Sequence, residues 1–206
     1  MSDNTANTET KILEAAANEF MTKGYAGART TAIAEAAGVT HGMLHYYFRT
    51  KEKLFDRIIS DKIGLLSSMI TDSITTTDSD IFELLRKVIS SHLDFMTQNP
   101  LMPGFLIREM HSQPQLKELI IERVSKTMAM FINQFQMIIN LNAAEGKCRA
   151  IEAKSLLLDM ACLNVFPFVA TPIVSPLIPE AAHFSAEFIE QRKQQNYETL
   201  ANKLRL

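Results

Sequence analysis

Residues 30–48 read TTAIAEAAGVTHGMLHYYF, and the fold turns on how this stretch is read. Ile33, Ala34 and Ala37 recur at helical spacing, and Gly38 follows as a residue able to take the left-handed conformation that ends a helix. Thr40 then offers a hydroxyl N-cap for a second short helix, in which Leu44 and Phe48 stand one turn apart. Two short helices around a Gly-containing turn form a helix-turn-helix. Turning about 100° per residue, Leu44 and Phe48 point inward onto Ile33, Ala37 and Val39. Gly42, Met43 and Tyr46 point outward, with His41, His45 and Tyr47 on the flanks.

The outward set suits a helix that enters the major groove of DNA. Gly42 carries no side chain to hold the backbone off the groove. Met43 can meet a thymine methyl, and a His41 nitrogen can exchange a hydrogen bond with a base edge. The Tyr46 and Tyr47 hydroxyls can donate to phosphates. Lys51, near the start of the next helix, adds a cation beside free backbone N–H groups. The competing reading is a surface helix with a few exposed rings; the adjoining turn glycine and Lys51 weigh against it.

Helical periodicity continues on both sides. In KILEAAANEF, Ile12, Ala15, Ala16 and Phe20 share a face, and the helix is expected to stop at Gly24, just after Lys23. Thr50 opens a long amphipathic helix through Leu54, Phe55, Ile58, Ile59, Ile63 and Leu66, although Lys53 occupies the place where a capping box has Glu. TDSITTTDSD is a polar break. Further helices are expected over Ile81–Thr97, Pro103–Met110, Pro114–Leu141, Ala150–Val165 and Glu180–Leu204, separated at QNP, SQP, AAEGK and FPFVATPIVSPLIP. The last of these breaks holds four prolines among apolar residues. It reads as a packed connection over the body or at a dimer interface. No segment alternates with period two, so the fold class is all-α.

Bulk properties narrow the function. A chain of 206 residues with 47% apolar residues has enough material for a large core. No apolar run approaches the ~18 residues of a membrane span, and the N-terminus lacks a signal-peptide pattern; a cytoplasmic protein is expected. SDNTANT is polar and is expected to lack structure. Cys148 and Cys162 have no metal-ligand spacing and read as reduced thiols. The net charge is −2, yet residues 23–57 carry six cations against three anions, a cationic head on an acidic body. Nothing supports an enzyme or a cofactor: no Gly-rich phosphate loop follows a strand, and neither cysteine has a base beside it in sequence. His41 and His45 have an i, i+4 spacing, but no Glu follows His41 and no third metal ligand is near. A helical adaptor remains as another class, one that would not need the chemistry of residues 42–51.

The run TTAIAEAAGVTHGMLHYYFRTKEKLF resembles the DNA-binding head of the TetR family of bacterial transcriptional regulators. The match covers about residues 8–59 and includes ILEAA, F-x-x-x-G-Y at Phe20–Tyr25, I-A-x-x-A-G-V at Ile33–Val39 and G-x-L-x-x-Y-F at Gly42–Phe48, followed by Lys51. The resemblance implies an N-terminal three-helix head (8–59) and a larger helical ligand-binding and dimerisation domain (60–206). It implies a homodimer on a palindromic double-stranded operator, most often a repressor released by a small effector. Residues matching base-contacting positions are His41, Gly42 and Met43. Those matching phosphate-contacting positions are His45, Tyr46, Tyr47 and Lys51, with Thr40 at the helix start. His45 stands where the family usually has Tyr. Arg29 stands where it usually has a capping Ser or Thr, so Thr30 or Thr31 caps the helix instead, or Arg29 reaches a phosphate.

Beyond residue 60 no motif names a ligand. Met102, Met110, Met128, Met130, Met137 and Met160 with Phe105, Phe131, Phe135, Phe166 and Phe168 are adaptable apolar residues that suit a lipophilic effector, or an ordinary helical core. Arg108, Glu109 and His111 lie on an otherwise apolar segment; they read either as polar contacts for the ligand or as a solvated face with an internal ion pair. The helices over 150–165 and 180–204 are the candidates for a four-helix dimer bundle.

Overall fold

The computed structural model describes residues 2–71, 80–181 and 183–206, with side chains from residue 7 onward except at 71. The helices are α1 (Ser2–Gly27), α2 (Thr30–Ala36), α3 (His41–Phe48), α4 (Lys51–Thr71), α5 (Ile81–Gln98), α6 (Met102–Ser112), α7 (Pro114–Ala144), α8 (Ala153–Val169), α9 (Thr171–Val174) and α10 (Ala186–Leu204). No strand occurs among the described residues. Most of the TDSITTTDSD break lies outside them. The chain forms two compact units: residues up to 63 with 105–123, and 64–104 with 124–206. Residues 105–123, which the sequence reading leaves with the later domain, group with the first unit.

In the first unit the apolar spacing becomes a core. Ile12, Ala16 and Phe20 of α1, Ile33 of α2, Leu44 and Phe48 of α3, and Leu54, Phe55 and Ile59 of α4 are buried together with Phe105, Leu116 and Ile120. Phe20 stacks on Tyr25 at 5.8 Å, Phe55 meets both rings edge-on at 5.5 and 5.2 Å, and Phe105 lies 6.0 Å from Phe55. Such pairs add roughly 0.5–1.5 kcal/mol each beyond their buried area. The helical path of α1 breaks at Gly24 (φ 73°, ψ 167°), as the spacing predicts, and resumes to Gly27. A Cβ at Gly24 would sit 3.0 Å from Glu109 Oε1, so both the backbone angle and this close approach favour glycine. At its other end α1 reaches back to Ser2, over the polar residues expected to lack structure.

Two hydroxyl caps set the starts of α3 and α4. Thr40 Oγ1 accepts from the Met43 N–H at 3.2 Å, and Thr50 Oγ1 from the Lys53 N–H at 3.1 Å. Between the two helices Arg49 takes φ 56° and ψ −49°, and the Thr50 N–H donates to the Phe48 carbonyl at 2.5 Å. This is a positive-φ γ-turn, a rare geometry with roughly 1–3 kcal/mol of strain.

In the second unit α5, α8 and α10 pack on one another. Gln136 on α7 fixes the start of α8 by accepting from the Ala153 N–H at 2.7 Å, while its amide donates to the Ile151 carbonyl at 3.1 Å. The helix therefore begins at Ala153 instead of 150. It also continues through Pro167 to Val169, beyond the expected stop at Val165. Pro167 removes one backbone donor in the last turn, and the Thr171 hydroxyl donates back to the Pro167 carbonyl at 2.8 Å. Ser185 caps the last helix by accepting from the Phe188 N–H at 3.2 Å, so α10 starts at Ala186, while 179–181 form a 3-10 turn where a helix start was expected. The proline-rich connection contains α9 and is largely uncovered in the single chain: Phe166, Ile173 and Leu177 are 62%, 71% and 78% exposed.

A chain of polar side chains joins α5, α8 and α10 in this interior. The Asn164 amide donates to the Ile89 carbonyl at 3.3 Å and to His92 Nδ1 at 3.1 Å. Asn164 Oδ1 accepts from Asn196 at 2.7 Å, and Asn196 Oδ1 accepts from Arg192 at 2.6 Å. His92, Asn164 and Asn196 are buried. Burial lowers the His92 pKa from 6.5 to about 4, so the ring is neutral at pH 7 and its Nδ1 is an acceptor.

Candidate nucleic-acid interface

The two faces of α3 are divided as the spacing requires. Leu44 and Phe48 are buried, while Met43 is 41% and Tyr46 81% exposed. His41, Gly42 and His45 are also exposed, and Tyr47 is half-buried, packing against the core. Tyr46 and Tyr47 meet edge-on at 5.6 Å. A Cβ on Gly42 would meet only Thr40 Oγ1, at 3.9 Å, so packing within the chain does not demand glycine there.

The flanking residues are already engaged within the chain. Thr30 Oγ1 lies 3.0 Å from His41 Nε2, so the threonine weighed as a cap instead ties α2 to α3. Arg29 occupies the N-cap position of α2 without a side-chain cap bond, and its backbone N–H donates to Glu19 at 3.3 Å. His45 Nδ1 lies 2.9 Å from the Arg49 carbonyl. A carbonyl only accepts, so Nδ1 is the donor in this contact. The His41 and His45 rings meet edge-on at 4.4 Å. Among the described residues no group of three His, Cys, Asp or Glu side chains is placed to hold a metal.

Lys51 folds back over the Tyr25 ring, its Nζ 4.7 Å from the ring centroid and 3.5 Å from the Ala26 carbonyl. Desolvation lowers its pKa, against the opposing pull of Glu109 and Glu19. Tyr25 is thus a supporting residue that the sequence reading treats only as part of a motif. No helical period would have marked it, because it lies just past the Gly24 break.

The residues offered for an effector divide between the units. Phe105 is part of the core of the first unit. Beside it Arg108 pairs with the buried Glu109 at 3.2 Å, which is the ion-pair alternative for this segment. Arg108 also stands 5.6 Å from the Phe105 ring, and the exposed His111 bonds the Ile107 carbonyl at 2.7 Å. Met102, Phe131, Phe135 and Met160 are buried in the second unit, and Met128 is half-buried.

Comparison with known proteins gives one concordant result. Residues 12–58 match the family described as bacterial regulatory proteins, tetR family. The chain is 22% identical over 192 residues to "Probable HTH-type transcriptional regulator YttP" of Bacillus subtilis, covering 91% of both chains. Its fold is similar to a TetR transcription regulator from Haloarcula marismortui (TM-score 0.70, 22% identity, 97% of this chain and 100% of that one). It is also similar to the transcriptional regulator FadR from Bacillus subtilis, solved in complex with stearoyl-CoA (TM-score 0.70, 17% identity, 94% and 98%).

Proposed function

Because this chain belongs to the tetR family of DNA-binding bacterial transcriptional regulators, we propose that it is a ligand-released repressor that binds a palindromic operator as a homodimer. The observation that carries the reading is the division of α3: Leu44 and Phe48 hold it from behind while Gly42, Met43 and Tyr46 stand free. In this reading residues 8–59 bind DNA, with His41, Gly42 and Met43 facing bases. His45, Tyr46, Tyr47, Lys51 and Arg29 face phosphates, and Thr40 holds the helix start. Residues 60–206 bind the effector and pair the copies. The pairing surface is supported by α8, where Leu158, Cys162, Phe166 and Val169 are exposed at steps of four, four and three, an apolar stripe without cover in the single chain. Two copies would set their reading helices roughly 34–36 Å apart, one turn of DNA. An effector that prefers another spacing opposes operator binding through one equilibrium, typically by about 1–3 kcal/mol. A lipophilic effector is supported by the ligand carried by the FadR relative. The protein acts in the cytoplasm, and none of its described helices is long and apolar enough to cross a membrane.

The test is duplex binding to the DNA upstream of the protein's own gene across a salt series. Steep salt dependence is expected, and Lys51→Ala should weaken binding to all duplexes and reduce the slope by about one. Absence of salt-sensitive duplex binding would leave a helical adaptor as the reading.

A further inference from the structure

We propose that the groove bounded by α8, α10 and the connection between them binds an amphipathic anion, an apolar body with a carboxylate or sulfonate head, and that Arg192 is its counter-charge. The proposal rests on the effector-binding reading above and names a site and a ligand class for it. The groove encloses about 600 Å3, inside the roughly 300–1,000 Å3 of small-molecule sites. Phe166, Pro167, Val174, Ile178 and Phe188 make its wall largely apolar.

Arg192 enters that wall as an unmatched cation. Its guanidinium donates to two neutral amides, Gln195 Oε1 at 3.1 Å and Asn196 Oδ1 at 2.6 Å. Two of five N–H donors are thereby used, and the buried Nε has no partner among the described residues. Glu180 lines the same groove but forms no ion pair with Arg192, and no other carboxylate of the described residues does. Burial pushes the Arg192 pKa below its usual range, the sign of a charge losing water without gaining an anion. The exposed Arg86 also lacks a carboxylate among the described residues and stacks on Tyr197 at 3.7 Å, but the other cations of α10 are paired. Lys193 is held by Asp94 at 2.7 Å and Glu190 at 2.6 Å, Lys203 by Asp159, and Arg205 by Glu198.

An occupant with both an anionic head and an apolar body answers both features of the groove. Apolar side chains from a second copy would fill the volume and desolvate the guanidinium further without matching its charge. Cys162 and Phe166 belong both to the groove and to the exposed stripe of α8. The anion is therefore placed where it can act on the pairing of copies.

The experiment titrates the full-length protein with decanoate below its micellar concentration, beside 1-decanol and decyltrimethylammonium. Decanoate should bind at least about tenfold more tightly than the alcohol, the usual worth of a charge-assisted hydrogen bond, and the cation more weakly still. Arg192→Gln should erase the preference for the acid, Arg192→Lys should keep most of it, and Phe166→Ser should weaken acid and alcohol alike. Equal binding of acid and alcohol by the unaltered protein overturns the proposal whatever the variants do. A preference that survives in folded Arg192→Gln overturns it as well, as does decanoate binding that vanishes once the copies pair. Operator binding is measured in parallel on the upstream DNA. Operator binding without decanoate binding removes this site and leaves the regulator. Decanoate binding without operator binding supports the site and removes the regulator.

Discussion

The reading helix and the α5–α8–α10 interior use polar side chains in opposite ways. On α3 they stand outside an apolar anchor, and two are tied to close neighbours: His41 to Thr30, and His45 to the Arg49 carbonyl. In the second unit they run inside, from His92 through Asn164 and Asn196 to Arg192, and each depends on the next. A surface group can be exchanged at the cost of a contact. An interior group that loses its partner carries the full desolvation penalty. The head can therefore vary its chemistry on a fixed frame, while the body has made polar bonding part of its frame.

The contrast can be broken at three points, in decreasing order of expected effect on stability. Leu44→Ala removes the anchor of α3 from a fully packed site and should cost about 2–5 kcal/mol, read as a lower urea midpoint; a loss under 1 kcal/mol would mean that α3 is not anchored as described. Acid should act through His92 next. Its folded pKa of about 4 lies below the unfolded 6.5, so the unfolded chain binds more protons between these values. The stabilisation is complete above pH 6.5 and is lost as pH falls towards 4, by about 3 kcal/mol. His92→Gln should lack that component; identical acid profiles for the two proteins would contradict the buried neutral ring. Gly42→Ala should change stability least, raising it by up to about 1 kcal/mol because the new methyl meets only Thr40 Oγ1 at ordinary contact distance. If the backbone there approaches a duplex, the same variant should nonetheless lose operator affinity. Unchanged affinity would place Gly42 away from the DNA.

The head was legible because its apolar residues obey one period and its punctuation is local. Gly24, Gly38, Thr40 and Thr50 each act within a few residues of their own position. Even there the partners of His41 and Lys51 stayed hidden, because Thr30 and Tyr25 come from other helices. The body was legible as helices but not as a site. Pro167 suggested a stop that tertiary packing and the Thr171 hydroxyl override, and Gln136 sets the start of α8 from 17 residues away. Methionine and phenylalanine content directs attention to residues 102–168, which takes in Phe166 of the groove wall but no charged member of it. The groove draws on 162–195, where Arg192 is marked by a buried Nε without a partner among the described residues, a property no local pattern displays.

The interior amide series has a direction. It starts at a guanidinium that only donates hydrogen bonds and ends at a ring nitrogen that accepts from the Asn164 amide. Each intervening amide is thereby told which way to face. A second proton on His92 would put a donor against the Asn164 NH2 group; Asn164 would have to turn over, then Asn196, and the last oxygen would swing away from Arg192. One protonation event deep between three helices would thus be reported at the molecule's edge as a guanidinium released from its tether.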